Sequence, residues 1–187
     1  MEAEQKRVMI IHGRNGEVNA GWRGWLAREL KDRGFEVVQP QMPGGDHPKP
    51  FEWMKAISEA VGIPDEKTFF VAHSLGCIAV VRYLEQLPLE TKVGGCVFVG
   101  GFSKDIGLRE IAAFTAERVD FEKVTIHAKQ FVTIISRNDD RVPLDVAMDF
   151  QRRLGAEPII ETAGHFRESD GVIYLEPALQ NILKMAN

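Results

Sequence analysis

The chain has 187 residues, of which 44% are hydrophobic and 27% charged, an ordinary globular composition for one domain with a single core. Its formal net charge of −4 gives no reason to expect a nucleic acid or an anionic membrane as a partner. No apolar run approaches the ~20 residues that cross a bilayer, and the opening MEAEQKRVMI lacks the apolar stretch of a signal peptide. We therefore expect one cytoplasmic domain over residues 1–187.

Segments rich in β-forming residues recur along the chain and predict strands. They cover Val8–Ile11, Phe35–Gln39, Thr68–Ala72, Val93–Val99, Phe131–Ile135 and Pro158–Glu161. Most are continuous apolar runs, which are typical of strands buried on both faces. Pro158 lacks a backbone N–H, so the last strand should lie at an edge of the sheet.

Helical patterns alternate with these strands. The apolar helical faces run over Trp22–Leu30, Met54–Val61, Leu75–Leu87, Val146–Leu154 and Leu175–Ala186. The long connection Gly101–Gln130 predicts a small cap at about 102–128, with short helices near 108–118 and 121–128. Regular alternation of strands and helices indicates an α/β fold with a parallel sheet covered on both faces.

A serine stands where the third strand runs into the third helix. Ser74 is flanked two positions away by Ala72 and Gly76, and a nucleophile elbow needs small residues there because strand and helix nearly touch. Ala72 replaces the first glycine of the usual G-x-S-x-G motif, which weakens the match. Serine is also a favoured helix N-cap. The segment alone therefore leaves open whether Ser74 is a nucleophile or a cap.

An acidic pair and a histidine follow the last two predicted strands. Asp139 and Asp140 come after the fifth strand and His165 after the sixth, where open α/β sheets hold their catalytic groups. Either aspartate could instead cap the next helix, and a single loop histidine is usually only solvated. The chain order Ser, Asp, His is nevertheless that of α/β-hydrolases. Together the three segments favour Ser74 as nucleophile, His165 as base and one aspartate as its support.

Acyl transfer also needs two backbone N–H groups that receive the oxyanion. The first candidate is Leu75, which follows the nucleophile, and the second is Arg14 or Asn15 in the loop after the first strand. The alternative for that loop is an ordinary glycine-rich turn. It matches neither G-x-G-x-x-G nor a phosphate-binding loop, so no nucleotide cofactor is expected.

The other histidines and the cysteines predict neither a metal site nor a disulfide. His12 could line the pocket, His73 should pack or hydrogen-bond beside the nucleophile, and His47 and His127 read as surface residues. No H-E-x-x-H or clustered ligand pattern suggests a metal. Two cysteines, Cys77 and Cys96, lie inside apolar runs and predict reduced core thiols. We expect no cofactor and no metal.

The motifs together resemble the family of small YdeN-like and retinoblastoma-binding serine hydrolases over nearly the whole chain. They are IIHGRNG, WRGWL, VAHSLGC, VGGF, ISRNDDRVP and AGHFRESDG. The resemblance implies a compact α/β-hydrolase fold with a small cap, and its triad falls on Ser74, Asp139 and His165. Within the acidic pair it selects Asp139 over Asp140. Members that bind retinoblastoma protein have L-x-C-x-E, but Ala79 stands at the glutamate position here, so that role is not transferred.

These observations predict a serine hydrolase that cleaves a small or medium ester, or an activated amide, through an acyl-enzyme. The fold should be a three-layer sandwich with a mostly parallel six-stranded sheet in the order 2-1-3-4-5-6. Gln41–Pro50 and the cap should shape the pocket. Phe102, Phe114 and Phe121 are candidate lining residues, although packing in the core is the more common fate of any one phenylalanine. The alternatives are a protein-interaction module on a hydrolase scaffold and an acyltransferase using the same serine. The natural substrate and the oligomeric state are not indicated.

Overall fold

The computed structural model describes residues 5–187, which form a six-stranded parallel sheet. The strand order is β2-β1-β3-β4-β5-β6, as the sequence predicts. The strands are β1 (Arg7–Ile11), β2 (Glu36–Val38), β3 (Thr68–His73), β4 (Gly95–Val99), β5 (Phe131–Ser136) and β6 (Glu157–Glu161). The chain order reverses between β1 and β3, so their carboxyl ends border the crevice in which open α/β sheets bind ligands.

Six α-helices connect or follow the described strands. They are α1 (Trp22–Asp32), α2 (Pro50–Val61), α3 (Leu75–Glu85), α4 (Phe121–Thr125), α5 (Leu144–Leu154) and α6 (Glu176–Ala186). Short 3₁₀ helices occupy Arg109–Phe114 and Glu168–Asp170. Within residues 5–187, no helix is both long enough and apolar enough to span a membrane.

Two apolar cores lie on opposite faces of the sheet. Helices α2, α3, α4 and α5 pack on one face, and α1 and α6 pack on the other. Every residue of β3 and β4 is buried, which explains why these strands read as continuous apolar runs. Helix α3 is apolar on nearly all sides because it lies against the sheet and is itself covered by α2, α4 and the 3₁₀ helix.

Some strand ends differ from the sequence prediction. β2 begins after Phe35, because the Phe35 N–H donates to Leu30 O at the end of α1 and so is not available to the ladder. β4 begins at Gly95, and Val93 makes only an isolated bridge to Ala128. β6 lies at the edge of the sheet, which tolerates Pro158 as expected.

The connection between β4 and β5 forms the cap-like segment. Its helices are shorter than predicted, with one 3₁₀ helix at Arg109–Phe114 and α4 at Phe121–Thr125. Phe102 and Phe114 are fully buried in the core beneath this segment. The aromatic residues of the cap therefore serve mainly to attach it to the sheet.

Candidate active site

Ser74 occupies a sharp, strained turn between β3 and α3. Its backbone φ of 53° and ψ of −121° lie in a region that non-glycine residues rarely adopt, at a cost of about 1–3 kcal/mol. A Cβ on Gly76 would lie 2.7 Å from the carbonyl oxygens of Ile11 and His12, so only glycine lets α3 approach β1 this closely. The Ser74 side chain makes no capping hydrogen bond to the helix. Ser74 therefore stands at the N-cap position of α3, but its hydroxyl group does not cap the helix.

Ser74, His165 and Asp139 form a continuous hydrogen-bonded series. His165 Nε2 lies 2.9 Å from Ser74 Oγ, and His165 Nδ1 lies 2.9 Å from Asp139 Oδ2. The backbone N–H groups of Arg141 and Val142 donate to Asp139 Oδ1 at 2.8 and 2.9 Å, which fixes the carboxylate. Nδ1–H donating to the carboxylate leaves Nε2 as the acceptor for the serine hydroxyl.

The neighbouring aspartate points elsewhere. The Asp140 carboxylate is 55% exposed and pairs with Arg167 at 2.8 Å, whereas the Asp139 side chain is only 3% exposed. The structure therefore brings Asp139, and not Asp140, to His165. The family motif singled out the same member of the pair.

The loop after β1 lies directly against Ser74. The Gly16 N–H donates to Gly13 O at 3.1 Å and closes a turn with Arg14 and Asn15 at its centre. A Cβ on Gly13 would lie 3.0 Å from Ser74 Cβ and 3.5 Å from Ser74 Oγ, so the loop backbone approaches the serine closely. Leu75 is the first residue of α3, and its N–H has no acceptor within that helix. All three residues expected at the oxyanion site line one cavity with Ser74.

That cavity has a volume of about 400 Å³. Its walls are the loop after β1, the start of α1, the loop after β6 that carries His165 (the histidine loop) and, from the cap, Ile106, Leu108 and Ile111. Gln41–Pro50 does not line this cavity, but Asp46 of that segment contacts the lining residues Arg14 and Asn15. Phe102, Phe114 and Phe121 do not line it either. The first segment packs behind the β1 loop, and the phenylalanines pack against the core.

Comparison with known proteins assigns the family. A sequence model of the serine hydrolases matches residues 8–183. The chain belongs to the serine hydrolase family. It is 33% identical to YdeN of Bacillus subtilis over 180 residues, covering 95% of this chain and 94% of the relative. It is 25% identical to the serine hydrolase RBBP9 of Rattus norvegicus over 175 residues, covering 91% of each.

Solved structures give the same fold. The crystal structure of B. subtilis YdeN superposes with a TM-score of 0.93 at 31% identity, covering 97% of this chain and 98% of that one. Est1E from Butyrivibrio proteoclasticus superposes with a TM-score of 0.75 at 14% identity, covering 97% of this chain and 88% of the other. This serine hydrolase thus has the α/β-hydrolase fold.

The histidine loop of this serine hydrolase is held by its own hydrogen bonds. The His165 N–H donates to Asp170 Oδ2 at 2.9 Å, and the Trp22 Nε1–H donates to Phe166 O at 2.9 Å. A Cβ on Gly164 would lie 2.7 Å from the Asp170 carboxyl carbon, so the loop closes tightly over that carboxylate. Sequence reasoning missed Asp170, although it belongs to the AGHFRESDG motif.

The histidine beside the nucleophile supports this loop as well. His73 Nε2 donates to His165 O at 2.9 Å, and its ring packs against Trp22. Burial holds the pKa of His73 well below its ordinary value, and charge on His165 and Arg23 acts in the same direction. His73 is therefore a neutral hydrogen-bonding residue, as predicted.

Two other histidines are placed differently from the sequence prediction. His12 does not line the cavity but packs behind the β1 loop, where Nδ1 donates to Gly13 O at 2.6 Å and Nε2 accepts from Met42 N–H at 2.9 Å. Burial lowers the pKa of His12, which suits this neutral form. His127 is fully buried rather than on the surface, because hydrogen bonds hold it against the segment before β4: Nδ1 donates to Thr91 O at 2.9 Å, and the His127 carbonyl accepts from Val93 N–H at 2.7 Å. His47 is exposed as predicted.

The two thiols are buried and unpaired. Cys77 Sγ lies 3.2 Å from Ala72 O, and burial raises the pKa of Cys77 and of Cys96. Neither thiol is a reactive nucleophile, because reactivity needs an accessible thiolate. Across residues 5–187, no group of three or more His, Cys, Asp or Glu side chains is arranged to hold a metal ion.

Asp170 should make the stability of the protein pH-dependent. Its hydrogen bonds to Arg167 lower the Asp170 pKa from 3.8 to about 2. Because the folded-state pKa is the lower one, ionised Asp170 stabilises the fold above pH 4, and this contribution disappears as pH falls from about 4 to about 2. Asp170→Asn should therefore lower the free energy of unfolding at pH 7 by up to about 2 kcal/mol and by much less near pH 2.

Urea unfolding at pH 7, 4 and 2.5 measures this difference. Asp32→Asn, an exposed aspartate at the end of α1, is the matched control and should follow the wild-type pH dependence. A constant difference between Asp170→Asn and wild type at all three values would contradict the proposed linkage.

Proposed function

We propose that this enzyme hydrolyses small or medium carboxylic esters, or activated amides, through an acyl-enzyme on Ser74. The observation that supports this most strongly is the series Ser74 Oγ–His165–Asp139, with heavy-atom distances of 2.9 Å, at the wall of a cavity of about 400 Å³. A cavity of this size is within the range of small-molecule sites.

In the first step, Ser74 Oγ attacks the carbonyl carbon of the ester while His165 Nε2 takes the hydroxyl proton. The carbonyl π electrons move to oxygen and form an oxyanion. Asp139 holds His165 in the Nδ1–H tautomer and stabilises the imidazolium that forms. The buried position of the Asp139 carboxylate, 3% exposed, strengthens this electrostatic effect.

The oxyanion is received by two backbone N–H groups. Leu75 supplies the first at the N-terminus of α3, where the helix dipole also favours negative charge. We assign the second to Arg14 rather than Asn15. The Gly13 carbonyl accepts hydrogen bonds from His12 Nδ1 and Gly16 N, so it points into the loop. The Arg14 N–H lies trans to that carbonyl and therefore points out of the loop.

The intermediate then collapses and the bond to the alcohol oxygen breaks. The departing alcohol takes the proton from His165, which leaves the acyl group on Ser74. Water attacks this acyl-enzyme and gives a proton to His165. The carbon–Oγ bond breaks, Ser74 regains its proton and the carboxylic acid is released. These steps need no cofactor.

We further propose a cytoplasmic location and a small-molecule substrate. Unpaired Cys77 and Cys96 are typical of a reducing compartment. The net charge of −4 does not favour nucleic acid as a substrate.

A fluorophosphonate probe tests the proposal directly. Ser74 should become covalently labelled, because its oxygen attacks phosphorus and expels fluoride while His165 accepts the proton. Peptide mass spectrometry should find the adduct on Ser74 in wild type and at least about 100-fold slower labelling in His165→Ala. His47→Ala, in which an exposed histidine is replaced, should label at the wild-type rate.

Absence of any adduct on wild-type Ser74, together with no turnover of short-chain aryl esters, would contradict the proposal. The interaction-module alternative would then take its place. An adduct on Ser74 that persists in His165→Ala would contradict the assignment of the base.

A further inference from the structure

One arginine in the catalytic cavity is buried without an acidic partner. Arg23, the second residue of α1, lines the cavity with Ser74 and is only 7% exposed. Its Nη2 donates to Glu17 O at 3.2 Å, and its Nε is buried without a hydrogen-bond partner. A guanidinium has five N–H donors, and within residues 5–187 only one of those of Arg23 has a hydrogen-bond acceptor.

The other arginines of the cavity are paired. Arg14 lies 3.7 Å from Asp46, Arg141 lies 3.8 Å from Asp140, and Arg167 contacts Asp140 and Asp170. Within residues 5–187, no carboxylate lies within 4.0 Å of the Arg23 guanidinium. Glu168, which also lines the cavity, is near enough to attract Arg23 electrostatically but does not bind it.

A buried cation without an anionic partner is energetically unfavourable. Burial removes water from the guanidinium, and a single backbone carbonyl replaces only part of that solvation. Burial accordingly lowers the pKa of Arg23, with Glu168 acting in the opposite direction. The contact with the Trp22 ring, 5.8 Å from its centroid, offsets some of this cost but uses none of the N–H donors.

A carboxylate is the ligand that this arrangement fits. Its two oxygens match the planar fork of a guanidinium, and such pairs are strong where water is excluded. The cap side of the cavity is apolar, with Ile106, Leu108 and Ile111. The cavity that contains Ser74 thus has both a cationic group and an apolar wall.

We propose that Arg23 binds a free carboxylate of the substrate, so that the preferred substrates are esters with one anionic arm and one apolar arm. This inference rests on the proposed ester hydrolysis at Ser74 and adds the substrate class to it. The carboxylate could be on the acyl side, as in a half-ester of a short dicarboxylic acid, or on the alcohol side. It takes no part in the bond changes.

Two matched pairs of synthetic esters distinguish the two sides. For the acyl side, mono-4-nitrophenyl glutarate is compared with neutral 4-nitrophenyl valerate. For the alcohol side, 4-butyryloxybenzoate is compared with neutral phenyl butyrate. The values of kcat/KM are measured for wild type, Arg23→Gln and Arg28→Gln, the last removing an exposed arginine on the same helix.

In one of the two pairs, Arg23→Gln should lower the ratio of anionic to neutral kcat/KM by about 10- to 100-fold, mainly through KM. Arg28→Gln should leave that ratio at the wild-type value. Independently of turnover, glutarate should raise the Tm of wild type and not that of Arg23→Gln.

The outcomes separate the two proposals. If neutral esters are hydrolysed but neither ratio depends on Arg23 and glutarate has no effect on Tm, the carboxylate inference is wrong and ester hydrolysis stands. If no ester is hydrolysed but glutarate stabilises only proteins that retain Arg23, the anion site stands and ester hydrolysis is wrong.

Discussion

Replacing Ser74 with alanine should lower kcat for aryl ester hydrolysis by about 10⁶-fold. The change removes the oxygen that we propose forms the acyl-enzyme, and the residues lining the cavity include no other serine and no threonine or cysteine. Both cysteines are buried and unpaired. The fold should survive, because alanine fits the space of serine in a turn that is already held by the Ser74 N–H bond to Val99 O at 2.9 Å.

Stopped assays with a chromogenic ester and circular dichroism on the same samples measure rate and folding together. Ser58→Ala is the matched control, since Ser58 is exposed on α2, and it should retain the wild-type rate. A Ser74→Ala enzyme that keeps more than a tenth of the wild-type kcat would show that Ser74 is not the nucleophile.

Replacing Asp139 with asparagine should lower kcat by roughly 10⁴-fold. An amide at this position cannot stabilise the imidazolium, and its NH₂ group can turn His165 to the wrong tautomer. The backbone N–H groups of Arg141 and Val142 would keep the amide oxygen at the position that Asp139 Oδ1 occupies. The NH₂ group would then take the position of Oδ2 and face the His165 ring. The loss should therefore be in kcat much more than in KM.

The adjacent aspartate provides the matched control. Asp140→Asn removes an exposed carboxylate whose partner is Arg167, so kcat should remain within a few-fold of wild type. Steady-state kinetics on both variants measure the difference. A large loss in Asp140→Asn with little change in Asp139→Asn would reverse the assignment within the pair.

The parallel sheet and the edge that holds the site follow from local sequence patterns, whereas the strand order 2-1-3-4-5-6 is what the family resemblance implies. Continuous apolar strands alternating with amphipathic helices admit few topologies, because the crossovers between parallel strands are right-handed. Groups that follow strands then meet at one edge of the sheet. For this reason the sequence predicts that Ser74, Asp139 and His165 lie close together, although they are far apart in the chain. Within the acidic pair, the family resemblance of the motif around Asp139 selected Asp139 over Asp140.

The walls of the cavity did not follow from such patterns. The cap contributes Ile106, Leu108 and Ile111 to the wall, and an irregular segment has no period from which to read which side chains face a cavity. His127 lies in the same cap segment, so its burial could not be read from a sequence period either. The segment Gln41–Pro50 is polar and loop-like, but His12 ties it behind the β1 loop.

The sequence by itself determined the fold class and the residue types placed at the strand ends, because both depend on period, spacing and position along the chain. The strand order was implied by the resemblance of the motifs to a family of known fold. Only the tertiary structure decided that Arg23 lines the same cavity as Ser74 and is buried without an acidic partner within residues 5–187, and that Asp170 holds the histidine loop. Whether a charged side chain is paired depends on residues from distant segments, such as Asp46, Asp140 and Glu168. A local sequence pattern does not give the distance between side chains that lie far apart in the chain. The substrate preference proposed for this enzyme therefore depends on packing, whereas its reaction type could be inferred from the chain alone.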